Sequence, residues 1–262
     1  MSSPNGADVV RLDLNGPVAT VTLCRPEVLN AQTPQMWGRL RDIGKDLSGD
    51  IRVVVVRGEG RAFSAGLDLA AAGVARDGGG FGSESPFVEL IESPERGDAR
   101  IAEFQGAFTW LRQPSLITIA AVQGHAIGAG FQLALAADFR VLADDAKFTM
   151  AEVKLGLVPD LGGTKRLVEL VGYARALELC VTGRRVDAAE AMRIGLANLV
   201  VPGSDLASAV SDLVSAVLAA PRDAVVEIKA LVAAAWGRSY AEQDAAERAA
   251  QLRRIGDLSQ SS

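Results

Sequence analysis

Apolar and polar residues alternate over 9–14 and again over 18–23, either side of Asn15-Gly16-Pro17, which predicts two strands joined by a tight turn. The period then changes. From Thr33, an N-cap residue followed by Pro34 at the first helical position, Met36, Trp37, Leu40, Ile43 and Leu47 recur at helical spacing and predict a helix leading to a strand over 53–56. A helix over 101–111 is expected before 116–122, an almost unbroken apolar run that predicts a strand covered on both faces. A strand over 139–142 and a polar turn at Asp144-Asp145 follow. Helical spacing then dominates over 174–181, 188–194, 206–219, 224–235 and 241–254, with one strand near Leu199. Strand–helix alternation followed by helices predicts an α/β protein. No repeat at a solenoid period is present. Residues 70–100 carry Gly78-Gly79-Gly80, Gly82, Pro86 and Pro94, and this stretch is expected to be a mobile insertion and a candidate lid.

A chain of 262 residues with 49% apolar content can bury one large core with a helical appendage. Its net charge of −5, its single histidine and the dispersal of its cations exclude a basic nucleic-acid face. No apolar run approaches the roughly 18 residues of a spanning helix, and the first residues lack a basic-then-apolar leader. The expectation is a cytoplasmic protein with no membrane or nucleic-acid partner, acting on a small molecule. Cys24 and Cys180 show no C-x-x-C spacing, so neither zinc nor a disulfide is expected, and both thiols are expected to be buried.

Two glycine-rich turns carry the candidate chemistry, Phe63-Ser64-Ala65-Gly66-Leu67-Asp68-Leu69 and Gly124-His125-Ala126-Ile127-Gly128-Ala129-Gly130-Phe131-Gln132. Each follows an apolar strand and can present unpaired backbone N–H groups. Two such turns converging on one point would make an oxyanion hole, a site for thioester or enolate chemistry. Taken singly, Gly66, Gly128 and Gly130 would serve equally well to permit tight turns and close helix–sheet packing. The second turn lacks the third glycine of a dinucleotide fingerprint and any G-K-[ST] ending, which excludes nucleotide redox chemistry. His125 is read as a packed, hydrogen-bonded residue outside the chemistry.

Taken in order, these turns resemble the crotonase superfamily, the enoyl-CoA hydratase/isomerase family. The resemblance extends over 9–239 and also rests on Arg25-Pro26-Glu27 with Asn30-Ala31, on Gly156-Leu157-Val158-Pro159 with Gly162-Gly163-Thr164-Lys165-Arg166-Leu167, and on Thr182-Gly183-Arg184 with Ala188, Ala191 and Gly195-Leu196-Ala197. It implies a crotonase-like spiral of ββα units over 1–200, forming two nearly perpendicular sheets. It implies a helical C-terminal region over 201–262 that makes a homotrimer or hexamer. It also implies an acyl-CoA thioester as substrate, with CoA part of that substrate and no separate cofactor or metal. The thioester oxygen would be held by the amides of Leu67 and Ala129. The CoA end would lie against Arg25, Val28, Ala65, Asp68 and Leu69, although Arg25 reads equally as a solvated strand-end cation.

Hydratases of this family use two glutamates. The first position is Gln132 here, whose amide can orient water but cannot take its proton. Glu152 stands at the second. Asp160 adds a carboxylate eight residues on, where hydratases commonly carry glycine, a pairing that resembles the dienoyl-CoA isomerases in part. Glu152 and Asp160 are therefore expected to move protons during double-bond migration. The plainer alternatives are an exposed charge at Glu152 and a turn or helix cap at Asp160. A hydratase using one glutamate and a non-catalytic acyl-CoA binder remain as rival functions.

Overall fold

Strands β1 (Val10–Asn15) and β2 (Val18–Leu23) form the predicted hairpin, antiparallel from Val10 opposite Leu23 to Asn15 opposite Val18, with Gly16 at φ 55° in the turn. The computed structural model describes residues 9–47, 49–74, 85, 87, 88, 90 and 93–260. From β2 the sheet continues through β3 (Val53–Gly58) and β4 (Ile117–Val122) to two further strands, Phe139–Ala143 and Leu199–Val201, every pairing after the hairpin being parallel. Three short strands, β5 (His125–Ile127), β7 (Lys147–Thr149) and β8 (Arg185–Asp187), make a second sheet in the order β5-β7-β8. Phe139–Ala143 is β6 and Leu199–Val201 is β9. The helices are α1 (Pro34–Asp46), α2 (Pro94–Thr109), α3 (Ala129–Ala136), α4 (Gly163–Val171), α5 (Tyr173–Thr182), α6 (Ala188–Arg193), α7 (Leu206–Ala219), α8 (Arg222–Ala234) and α9 (Tyr240–Gln260). This is the expected α/β architecture of two sheets with C-terminal helices.

Both faces of the large sheet are covered, as the apolar run over 116–122 predicts. Val54, Val56, Ala120, Val122 and Leu142 face the main core, while Val53, Val55, Ile119, Ala121 and Val141 face the opposite side, where Val210 of α7 packs on them. Helix α1 starts where the sequence places it. Thr33 Oγ1 accepts from the Met36 amide at 3.3 Å, Pro34 occupies the first turn, and Met36, Trp37, Leu40 and Ile43 are buried. Its Trp37 ring packs on Phe104 of α2 at 4.8 Å between centroids.

The expectations fail in three places. Helix α2 begins at Pro94, well before 101, because proline at the first helical position and Glu95 in the first turn favour a start there. Residues 94–100 are therefore helix and not part of an irregular insertion. Residues 75–84, 86, 89, 91 and 92 of that proposed lid lie outside the described residues. Helix α9 continues to Gln260, since no proline interrupts 255–260. The thiols of Cys24 and Cys180 are free but only partly buried, correcting the expectation of full burial.

Candidate active site

The first glycine turn is anchored from α1. Trp37 Nε1 donates to Gln32 Oε1 at 2.7 Å, Gln32 Nε2 donates to Ser64 Oγ at 3.0 Å, and Ser64 Oγ donates to the Asn30 carbonyl at 2.8 Å. Ser64 also joins the second turn, its amide donating to the His125 carbonyl and its carbonyl accepting from the Ile127 amide. Contact between the turns requires glycine on both sides. A Cβ at Gly66, where φ is +84°, would lie 2.4 Å from the Ile127 carbonyl oxygen, and one at Gly130 would lie 2.6 Å from the Ser64 carbonyl oxygen. The same added Cβ would lie 3.5 Å from the Ala129 amide nitrogen, so Gly66 also stands close to the start of α3. Ala129 opens α3, where the first N–H groups have no helical partner. Neither the Leu67 nor the Ala129 amide donates to another group among the described residues.

These amides border a cavity of about 690 Å³ whose wall includes Ala65, Leu67, Leu69, Ala129, Gln132, Glu152 and Asp160. Trp37, Ile101 and Phe104 make part of its apolar side. Glu152 begins a short 3-10 turn after β7, closed by Gly156 at φ +71°. Its carboxylate stands beside the second glycine turn, since a Cβ at Gly128 would be 3.3 Å from Glu152 Oε1. Burial pushes the Glu152 carboxyl above its ordinary value, its own backbone amide and Gln132 oppose the rise, and the charge of Asp160 adds to it. Burial also raises the Asp160 carboxyl. Such groups hold protons more readily than exposed carboxylates, which suits proton exchange near neutrality. Asp160 is not the cap of α4: Gly162 occupies that position, and the Gly163 amide of the first turn donates to Gln132 Oε1.

Gln132 bonds to both carboxylate-bearing segments. Its Nε2 donates to Glu152 Oε1 at 2.7 Å, and its Oε1 accepts from the amides of Leu161 and Gly163, so both ends of the amide are engaged with protein groups. Arg25, Val28 and Asp68 do not border the cavity. Arg25 is neither a solvated cation nor a free one: it pairs with Asp68 at 2.9 Å and donates to the Ala31 carbonyl at 2.6 Å, bracing the first turn. Val28 is exposed on the 3-10 turn beside it. His125 lies on β5 away from the cavity wall. Sequence reasoning missed Lys154 at the wall, and it missed Gln105 and Arg112, which reach the Asp160 loop from helix α2 and the turn after it. Among the described residues no group of His, Cys, Asp and Glu could hold a metal ion.

The sequence profile of the enoyl-CoA hydratase/isomerase family matches residues 13–257. The chain belongs to the enoyl-CoA hydratase/isomerase family. It is an enzyme of the crotonase type, and no helix among its described residues is long and apolar enough to cross a membrane. It is similar to a protein of Mycobacterium tuberculosis (strain CDC 1551 / Oshkosh) named as an enoyl-CoA hydratase, at 37% identity over 72% of this chain and 67% of the relative. It is also similar to the carnitinyl-CoA dehydratase of Salmonella agona (strain SL483), at 38% identity over 79% of this chain and 73% of the relative. Among solved structures, a Thermobifida fusca YX protein named as an enoyl-CoA hydratase matches with a TM-score of 0.90 and 46% identity, covering 98% of this chain and 96% of that one. A structure of that protein in complex with acetoacetyl-CoA matches with a TM-score of 0.88 and 45% identity, covering 96% of each chain.

Proposed function

We propose that the cavity binds the acyl part of an acyl-CoA thioester and that the enzyme moves a double bond along it. The observation that carries this reading is the pair Glu152 and Asp160 on one apolar cavity beside two unpartnered amides, with a glutamine at 132. The Leu67 and Ala129 amides would hold the thioester oxygen, each worth roughly 3 kcal/mol to the enolate. Glu152, next to the second glycine turn, takes the proton α to the carbonyl of a 3-enoyl thioester, and its electron pair moves into a dienolate whose charge rests on the thioester oxygen. Asp160, whose protonated form burial favours, returns a proton at the γ carbon, and the double bond comes to lie between the α and β carbons. Glu152 ends protonated and Asp160 ionised, and exchange with water restores both.

The names of the relatives favour hydration of 2-enoyl thioesters as the second reading. Gln132 opposes it, because an amide engaged with Glu152 and two backbone N–H groups can neither deprotonate water nor spare a lone pair to orient it. Purified protein offered 2-enoyl, 3-enoyl and 3,5-dienoyl CoA thioesters, with products identified, separates the readings. Migration in a 3-enoyl or 3,5-dienoyl substrate is expected, with hydration slower than the roughly 10 per second of a median enzyme. Hydration as the dominant product would overturn the isomerase, and tight binding without turnover would point to a carrier. Asp160→Asn is expected to keep thioester binding and to lose at least about 100-fold in migration, the scale of a missing general acid; a loss below tenfold would remove Asp160 from the chemistry.

We also propose that residues 201–262 form the oligomerisation region. Helices α8 and α9, with the turn between them, leave Ile228, Val232, Trp236, Tyr240, Leu252 and Leu258 exposed, more apolar surface than scattered single residues would give. Light scattering at micromolar concentration is expected to give three or six times the 27.4 kDa chain mass. A monomer would contradict it.

A further inference from the structure

One side chain touches both carboxylate-bearing segments. Gln132 Oε1 accepts from the backbone amides of Leu161 at 2.9 Å and Gly163 at 3.2 Å, and two amide hydrogens aimed at one atom require that atom to be oxygen. The orientation of the Gln132 amide is thereby set, and its NH2 group must face Glu152, to whose Oε1 it donates at 2.7 Å. The other carboxylate oxygen, Glu152 Oε2, is buried and has no hydrogen-bond partner. Glycine at 163 permits the approach, because a Cβ there would lie 2.7 Å from Gln132 Cγ. Two more side chains hold the same loop by its carbonyls: Gln105 Nε2 donates to the Asp160 carbonyl at 2.7 Å, and Arg112 Nη2 donates to the Gly162 carbonyl at 2.9 Å. The backbone from Asp160 to Gly163 is thus gripped in turn at a carbonyl, an amide, a carbonyl and an amide.

Resting on the reading of Glu152 and Asp160 as the proton-moving pair, we propose that Gln132 is the positioning residue of this site, fixing the orientation of the Glu152 carboxylate and where the Asp160 loop stands relative to it. Gln105 and Arg112 complete the hold from the opposite side of the loop. The glutamine is then an adaptation to two-carboxylate proton transfer and not a disabled water base. A donor held against Glu152 Oε1 favours the ionised carboxylate and offsets part of the cost of its burial. The other groups bearing on Glu152 are Asp160 from the clamped loop, Cys180 from α5, whose thiol is pushed up mainly by its own burial and then by the Glu152 charge, and Lys154 from the same 3-10 turn at the cavity wall.

The test replaces Gln132 with methionine, which keeps the length of the side chain and removes both ends of the tie. Three quantities are followed in wild type and variant: exchange of the α protons of butyryl-CoA in D2O, double-bond migration in a 3-enoyl-CoA, and the pH profile of each. For Gln132→Met, KM is expected within about threefold of wild type, both rates at least about tenfold lower, and the acidic limb of the exchange profile at higher pH, because the donor that favoured ionised Glu152 is gone. Gln105→Met, which loosens the Asp160 loop while leaving the Gln132–Glu152 bond, is expected to slow migration more than α-proton exchange. Should Gln132→Met fail to fold, Gln132→Leu removes the same donor and acceptor with a shorter apolar side chain, and the same upward shift of the acidic limb is expected. Unchanged rates and an unchanged profile in any folded Gln132 variant would overturn the proposal. Wild-type protein that exchanges α protons but moves no double bond would overturn the isomerase reading alone, since the profile shift still reports the hold on Glu152. Wild-type protein that does neither would overturn both.

Discussion

Replacing Glu152 with glutamine is expected to abolish proton movement, lowering double-bond migration by at least about 100-fold, the ordinary contribution of a positioned general base, while leaving thioester affinity within a few-fold. The substitution is nearly isosteric, and the carbonyl of the introduced amide can still accept from Gln132, so the wall of the cavity and the loop carrying Asp160 keep their places. The stability of the variant makes a second, independent readout. In the folded protein burial raises the Glu152 carboxyl above its ordinary 4.5, so ionising it costs more than in the unfolded chain. That cost is absent below the unfolded value and accumulates as pH climbs through the raised folded value. Glu152→Gln removes it and should therefore raise Tm near pH 8 relative to wild type, with the advantage fading toward pH 4. A gain in stability at the expense of turnover is what a buried proton carrier entails. Unchanged turnover would remove Glu152 from the mechanism, and a Tm difference independent of pH would show that its carboxyl is not strained by burial.

Much of the scaffold was legible because long elements repeat their pattern several times. The hairpin, helix α1 with its Thr33 cap, the doubly covered strand at 116–122 and helix α7 over 206–219 each carry enough periods, caps or turn residues to be read directly. Strands β5, β7 and β8 have three residues apiece, too few to show alternation, so the second sheet could be expected only from the family resemblance. At the site, the family resemblance singled out Leu67 and Ala129, and both border the cavity. The partners of Gln132 were not legible, because they come from residues 20 to 31 positions away, brought close only by the packing of α3 under the 160–163 loop. Gln105 and Arg112 were less visible still. They act on backbone carbonyls 55 and 50 residues distant, and a carbonyl carries no side-chain signature in a sequence. Arg25 and Asp68, expected against the CoA end, form an ion pair that no spacing in the sequence announced.

The close approach of the two glycine turns leads to the other large effect. Gly66→Ala is expected to cost both stability and activity, because the new Cβ would stand 2.4 Å from the Ile127 carbonyl oxygen, a backbone atom that cannot swing aside, and because φ at this position is +84°. The left-handed backbone alone costs roughly 1–2 kcal/mol for a residue with a Cβ. Relief of the clash must move Ile127 away from the first turn, and Ile127 is separated from Ala129 only by Gly128, itself in a positive-φ conformation. In the proposed oxyanion hole the Leu67 and Ala129 amides would then be moved apart, and loss of a single such donor typically lowers turnover by about 100- to 1,000-fold. Gly16→Ala supplies the comparison, since its φ is +55° but nothing lies within 4 Å of the added methyl. It should show the backbone penalty in Tm with turnover intact. Measuring kcat, thioester affinity and Tm for both variants separates the two contributions: if Gly66→Ala lost no more turnover than Gly16→Ala, the meeting of the two turns would be a packing contact, and the negative charge of the enolate would have to be stabilised elsewhere.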